Sequence, residues 1–221
     1  MTNLNAVPFH EKSYWEDRFK REKHFEWLLT WNNIKSEIIP FLNVSDEILH
    51  VGCGNSTLAF DIFESGYRNI TNVDYAENVI SYMKSVTQKR EIEAKINYSS
   101  ISWYKGDCLY HLQSYLPKKV YPVVIDKSLI DTIACGDDDN QSRVKRLAAE
   151  ILSVTETDGH WFSVSFSSER EYHCQMNADT NNVYHWKTKR KIPIQVTQLN
   201  DKPGAPPIYY YLYINQKIKV T

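Results

Sequence analysis

Short apolar runs alternate with longer amphipathic stretches along most of the chain. Residues 47–51, Ile70 to Asp74, Ile101 to Lys105 and Tyr121 to Asp126 read as strands. The Val123-Val124-Ile125 core of the fourth suits a central parallel strand buried on both faces. Between the first two, Ser56 or Thr57 caps a predicted helix that runs through Ser65 and ends at Gly66. A second helix spans Glu77 to about Lys89, with Val79, Ile80, Tyr82, Met83 and Val86 on its apolar side. A third covers Ser142 to Thr155, after which Gly159 opens a fifth strand, His160 to Ser167. Ahead of all this, residues 13–42 read as helical, aromatic-rich in the first half, with Pro40 at the frayed end. The tail carries two β-rich segments, Ile192 to Leu199 and Ile208 to Gln216, flanking the loop from Asn200 to Pro207. The pattern predicts an α/β fold: a doubly wound, mostly parallel seven-stranded sheet with a C-terminal antiparallel hairpin and an N-terminal helical cover. A single domain is expected over 1–221, divided into the cover (1–45), a ligand-binding core (46–167) and C-terminal strands with substrate-side loops (168–221).

Composition narrows the classes. The 221 residues suit one domain with an ample core. The net charge of -1 argues against a global electrostatic grip on nucleic acid. The stretch Met1 to Lys12 lacks a signal-peptide core, and no apolar run approaches the ~20 residues of a membrane span. Cys53, Cys108, Cys135 and Cys174 are scattered without a Cys-x-x-Cys pair, which fits free thiols of a cytoplasmic protein and gives no metal site. A monomer is expected.

Candidate chemistry gathers at the first strand's end. Gly52-Cys53-Gly54 follows His50-Val51, and Asp74 lies twenty residues after Gly54. A strand, glycine turn, helix and second strand ending on a carboxylate make the ligand-binding half of a doubly wound domain, with the acid placed to accept ribose hydroxyls. A dinucleotide site wants a third small residue where this chain has Thr57, after Asn55 and Ser56. Asp74, Asp107 and Asp126 each follow a predicted strand and converge on one crevice. Each has a plainer reading alone, as a cap, a turn residue or a partner of Lys127; their joint placement points to a site. S-adenosylmethionine, with ribose hydroxyls, an adenine amine, an α-amino group and a sulfonium but no phosphate, suits such acids, which would repel a pyrophosphate.

Several segments together carry a resemblance: Tyr14-Trp15-Glu16-Asp17-Arg18-Phe19, Phe25-Glu26-Trp27, His50 to Ser56, Gly66-Tyr67, Asn72 to Tyr75 and Val124 to Asp131. Over roughly residues 13–167 the chain resembles the seven-β-strand, Rossmann-like S-adenosylmethionine-dependent methyltransferases. Within them it is similar to the group that methylates lysines of elongation factor 1-alpha. The resemblance implies that Trp15, Phe19 and Trp27 lie against the cofactor, and a sulfonium is attracted to aromatic faces. The plainer reading is that these aromatics are the core side of an amphipathic helix. By the same resemblance Gly52, with Gly54 and Asn55 beside it, lines the methionine portion. Asp74 and Tyr75 hold the ribose and flank the adenine, Asp107 and Cys108 meet the adenine edge, and Asp126 and Lys127 border the site. Two positions depart from the pattern: His50 stands where an acid is common, and Ser128 where the group often has glycine.

Methyl transfer is an in-line displacement, so positioning supplies much of the catalysis. A lysine acceptor must first lose its proton, from an ordinary pKa of about 10.4, and burial near the sulfonium favours that loss. Asp126 and Tyr14 are candidate catalytic groups, with Asp131 and Trp31 as further candidates for gripping a lysine. Asp126-Lys127-Ser128-Leu129 replaces the Asn/Asp-Pro-Pro-Tyr/Phe motif of adenine-N6 and glutamine enzymes. The run Lys187 to Lys191 and the acidic Asp137-Asp138-Asp139 read first as solvated surface, with partner docking as the alternative. The expected function is protein-lysine methylation of a translation elongation factor. The alternatives are a small-molecule methyltransferase and a non-catalytic binding protein.

Overall fold

A computed structural model of the protein describes residues 7–136, 141–171, 183–196 and 206–220. Cys174, the acidic residues 137–139 and most of the loop 200–207 lie outside them. Seven strands form one sheet in the order β3-β2-β1-β4-β5-β7-β6. They are β1 Glu47–Val51, β2 Asn69–Asp74, β3 Ile101–Lys105, β4 Tyr121–Lys127, β5 Thr155–Ser165, β6 Tyr184–Val196 and β7 Ile208–Lys219. The first five pair in parallel, while β7 runs antiparallel to both β5 and β6. The expected sheet and its hairpin are both present. The helices are α1 Lys12–Arg21, α2 Trp31–Ile38, α3 Leu58–Glu64, α4 Glu77–Ala94, α5 Leu129–Ala134 and α6 Ser142–Ser153.

Alternation along the central strands builds two cores, one on each face. Ile48, Val123 and Ile125 point to the side packed by Ile34, Ile38, Phe60 and Phe63. Leu49, Val51 and Val124 point to the other, with Val144, Leu147, Ile151, Trp161 and Trp186. Because β1 and β4 are covered on both faces, their sequences read as near-continuous apolar runs. The chain leaves β1 toward β2 and β3 on one side, then returns to β4 on the other. A crevice opens at the carboxyl ends where the order reverses.

The structure departs from the expected elements at five places, one of them β5, which begins at Thr155 where the preceding helix was expected to end, and not at His160. The helix expected over 13–42 is two, because residues 22–30 run extended between α1 and α2. Leu28 lies at φ +61°, and the backbone N–H and hydroxyl of Thr30 both donate to Asn33 Oδ1 (2.9 and 2.7 Å), which restarts the helix. Strand β6 begins at Tyr184, eight residues before Ile192. Its charged Lys187–Lys191 stretch hides the alternation, yet it pairs with β7 throughout as the sheet edge. Charge on an edge strand discourages pairing with another chain. Helix α4 runs on to Ala94 and stops at Lys95, which is left-handed at φ +55°. Helix α5 was not expected at all.

Ser128, the N-cap of α5, sits at φ +68°, a backbone region that suits glycine. Its N–H donates to Val164 O (2.8 Å), and its carbonyl accepts from the Thr132 N–H (3.1 Å) and hydroxyl (3.0 Å). The departure from the resembling group therefore falls on a position where the backbone asks for the group's own residue. Ser128→Gly relieves roughly 1 kcal/mol of left-handed strain and returns part of it as unfolded-chain entropy. Chemical denaturation should find Ser128→Gly as stable as the parent or more so, and Ser128→Val less stable by about 1 kcal/mol or more.

Candidate functional site

The loops that leave the carboxyl ends of β1, β2, β3 and β4 floor one cleft, and the N-terminal segment roofs it. The cleft encloses about 910 Å³ of non-atom space, its open mouth included. Gly52 and Gly54 have φ of +61° and +50°. A Cβ on Gly52 would stand 2.8 Å from Leu129 Cδ1, and one on Gly54 would stand 3.3 Å from Phe19 Cζ. Conformation and proximity both require glycine here, and they leave bare backbone facing the cleft.

Asp74 ends β2 nearly fully buried. One carboxylate oxygen accepts the Gly54 N–H (3.0 Å) and the other the Ala76 N–H (3.0 Å). Burial pushes its carboxyl up to about 6 against those donors. The Tyr75 N–H acts on the carboxylate as well, and since a carboxylate offers about four acceptor sites, about one remains for a ligand hydroxyl. Tyr75 beside it donates its hydroxyl to Lys12 O (3.3 Å). Asp107 accepts the Leu109 N–H (2.9 Å) on one oxygen and pairs with the Lys12 ammonium on the other. Cys108 is buried in the same wall, and burial raises its thiol well above the ordinary range. Burial likewise raises Cys53, so neither cleft thiol is an activated nucleophile.

At the opposite end, Glu26 reaches from the extended 22–30 segment into the glycine loop. Its carboxylate accepts the Thr57 backbone N–H, the Thr57 hydroxyl (3.2 Å) and the Ser56 hydroxyl (3.0 Å), and it pairs with Lys127 Nζ at 2.7 Å. Lys127 also donates to Trp27 O (3.0 Å), and its side chain is 2% exposed. Burial works against the charge on Glu26, but Lys127 and the donors from Thr57 and Ser56 outweigh it and hold the carboxyl below its ordinary value. The expected cap from Ser56 is present, its hydroxyl accepting the Leu58 N–H (3.1 Å), and Glu26 adds a second cap from thirty residues upstream by taking the Thr57 N–H. Sequence reasoning quoted Glu26 but gave it no role. The one signal was a serine–threonine pair at a helix start without the acid that completes a local capping box.

His50 lines the cleft near Lys127. Asn72 donates its amide to Ser102 O (3.2 Å), which leaves Asn72 Oδ1 to accept from His50 Nδ1 at 3.2 Å. Burial, with the charge of Lys127, lowers the imidazole to about 4, so it is neutral. Asn55 donates to Glu22 O (3.0 Å) and lines the floor.

The roof is aromatic. Phe9, Trp15, Phe19, Phe25 and Trp27 face the cleft. Their rings pack at centroid separations from 4.8 Å (Phe25 and Trp27) to 6.0 Å (Phe9 and Trp15). Arg18 stands behind this wall. Its guanidinium lies 4.8 Å from the Trp27 ring centre, 5.2 Å from Phe25 and 5.6 Å from Trp15. The wall already holds one cation by its faces.

Of the twelve expected cofactor residues, Asp126 alone is absent from the lining. It is fully buried on the far face of β4, where it accepts from Trp161 Nε1 (2.8 Å) and the Ile130 N–H (3.3 Å). Side chains alternate along a strand, so Lys127 entering the cleft sends Asp126 the other way. Tyr14 also lies outside the lining, its hydroxyl accepting from Arg18 (2.9 Å). Asp131 is buried against Arg170 (3.0 Å) and the Ser165 hydroxyl. Trp31 is a core residue, its indole N–H on Ser65 Oγ (2.7 Å). Among the described residues no group of His, Cys, Asp or Glu could hold a metal ion, and no helix is long and apolar enough to cross a membrane.

Comparison with known proteins gives the family and the fold. A model of the methyltransferase domain matches residues 42–209. The chain is 31% identical over 210 residues to methyltransferase srdJ of Neurospora crassa, covering 93% of this chain and 83% of that one. It is 28% identical over 172 residues to the eEF1A lysine and N-terminal methyltransferase of Homo sapiens, which covers 74% of this chain. The chain spans about a quarter of that relative's length, 23%. In fold it is similar to magnesium protoporphyrin IX methyltransferase from Synechocystis, solved with bound S-adenosylmethionine. That match has a TM-score of 0.60 at 11% identity, over 97% of this chain and 99% of the other.

Burial raises the Asp126 carboxyl to about 7, against about 3.9 in an unfolded chain. Between those values the folded state holds the extra proton, so stability falls as pH rises from about 4 to about 7. Asp74, raised to about 6, adds to the fall in the same direction. Denaturant unfolding across that range should show a smaller fall for Asp126→Asn than for the parent; equal slopes would contradict the assignment.

Proposed function

Since the chain belongs to the methyltransferase-domain family and its cofactor is S-adenosylmethionine, we propose that it methylates lysine on a translation elongation factor, and that the cleft just described is its site. The observation that carries the acceptor is the match over three quarters of the chain to proteins named for lysine methylation of eEF1A.

The residues fit this cofactor and not a dinucleotide. A pyrophosphate would sit at the N-terminus of the first βα helix, using its free N–H groups. Here Glu26 already occupies the Thr57 N–H and hydroxyl, and its charge repels phosphate. A nucleoside with a cationic, phosphate-free tail meets no such conflict. In this reading Asp74 accepts a ribose hydroxyl with the acceptor capacity its three backbone donors leave, and Tyr75 flanks the adenine. Asp107 and Cys108 meet the adenine edge, with Lys12 yielding part of its hold on Asp107. The bare backbone of Gly52 and Gly54, together with Asn55, lies along the methionine portion. Trp15, Phe19 and Trp27 close over it.

When bound, S-adenosylmethionine supplies an electrophilic methyl group on a sulfonium. The chain's own part is alignment and control of one proton. An acceptor lysine brought against the aromatic wall is desolvated, which lowers the affinity of its Nζ for the proton. Displacement then needs a neutral Nζ held in line, which positioning can supply without a dedicated base. Asp126 and Tyr14 then act at a remove: Asp126 fixes β4 through Trp161 and Ile130, and Tyr14 orients Arg18 behind the wall.

Two outcomes test the reading. Cofactor affinity should weaken as pH falls through about 6, where Asp74 takes up a proton, and Asp74→Asn should remove most of that dependence. Isothermal titration across pH 5 to 8 checks it; a flat parent profile would contradict the ribose role. The second experiment supplies the enzyme with methyl-labelled cofactor and an extract from cells lacking it. Label should enter a single protein band at the size of elongation factor 1-alpha, on lysine. Label confined to small molecules would replace the acceptor with a metabolite.

A further inference from the structure

Lys127 and Glu26 form an ion pair inside the cleft wall whose geometry is more specific than a structural tie requires. The Lys127 side chain is 2% exposed, and its ammonium donates to Glu26 (2.7 Å) and to Trp27 O (3.0 Å). An ammonium has three N–H bonds, and two are accounted for by these contacts. Lys127 also lines the cleft, between His50 and Ser128. Glu26 is itself held from two sides by the Ser56 and Thr57 groups, so it cannot follow Lys127 if the lysine moves. The charged groups that bear on Lys127 are Glu26 from the N-terminal segment, Asp61 from α3 and, across the cleft floor, His50 from β1. His50 is neutral and Asp61 is engaged with the Thr57 hydroxyl (3.3 Å), so Glu26 is the direct counter-charge.

We propose that Glu26 is a positioning residue for cofactor binding: anchored on the start of α3, it fixes the Lys127 ammonium in the cleft wall, where that charge receives the carboxylate of the cofactor's methionine end. This rests on the S-adenosylmethionine pose described above. Neither residue alone suffices. A buried lysine without a counter-charge gives up its proton, and a neutral amine holds a carboxylate weakly. Burial already pulls Lys127 below the ordinary lysine range, with Glu26 opposing it.

The test is S-adenosylmethionine affinity by isothermal titration between about pH 7 and pH 9, above the range in which Asp74 titrates. The parent should show only the slope of the ligand's own α-amino group, which ordinarily titrates at about 8, and the variants are read against it. In Glu26→Gln, Lys127 loses the counter-charge that opposes its burial and gives up its proton at lower pH than in the parent, so affinity should fall about tenfold or more beyond the parent's change as pH rises, the weight of one charge-assisted hydrogen bond. In Glu26→Gln/Lys127→Arg the charge no longer titrates, and the added slope should vanish. A Glu26→Gln protein with no slope beyond the parent's, or an added slope that survives the arginine replacement, would overturn the proposal. Should Glu26→Gln fail to fold, the lysine Nζ resonance of the unaltered protein decides. It should shift when S-adenosylmethionine is added, and a resonance that does not move on binding would overturn the proposal. Parent protein that binds no S-adenosylmethionine would fail the cofactor pose instead, a result these variants do not produce.

Discussion

The carboxylate of Glu26, set between the first turn of α3 and the ammonium of Lys127, is the contact on which the site is organised. It joins three parts of the chain that local sequence cannot bring together: the extended segment after α1, the glycine loop after β1 and the end of β4. Removing one partner of a buried pair of this kind costs about 3 kcal/mol or more, because the other charge is left without a partner. Part of that cost is specificity. By filling the helix N-terminus with its own acid, the protein denies that position to a phosphate.

From this contact the aromatic roof follows. With residues 22–30 pinned at Glu26, Trp27 comes against Trp15 and Phe25 against Trp27, and Arg18 is held behind them by its bidentate pairing with Glu22 (3.2 and 2.9 Å). Further ties keep α1 over the cleft: the Lys12–Asp107 pair, the Tyr75 hydroxyl on Lys12 O, and Asn78 Nδ2 on Glu16 O at 2.8 Å. The Lys12–Asp107 pair is solvent-accessible on the lysine side, 56% exposed, and so contributes little on its own. The roof is thus fastened at both ends, at Glu26 on one side of the cleft and through α1 on the other.

Much of this was legible in the sequence, and what was not has a physical cause. The parallel strands β1, β2 and β4 and the Gly52–Gly54 turn declare themselves because burial on both faces and positive φ restrict residue choice sharply. Asp74 is legible for the same reason: it lies at a strand end, twenty residues beyond the turn. The break at 22–30 and the role of Glu26 are invisible locally, since the segment's partners lie thirty and a hundred residues away. Asp126 was placed in the crevice as the carboxylate at the end of β4, yet the period-two alternation of that strand commits neighbouring side chains to opposite faces, and Lys127 has the cleft. Strand β6 was half hidden because the charged Lys187 to Lys191 stretch interrupts its apolar positions, Trp186 before it and Ile192, Ile194 and Val196 after it, and pairing with β7 carries the strand through.

The most direct test is a crystal structure with S-adenosylhomocysteine bound. The account requires the ribose on Asp74, the methionine carboxylate against Lys127, and Glu26 still seated on the Thr57 N–H. A ligand that displaces Glu26 and takes the start of α3 for itself would contradict it.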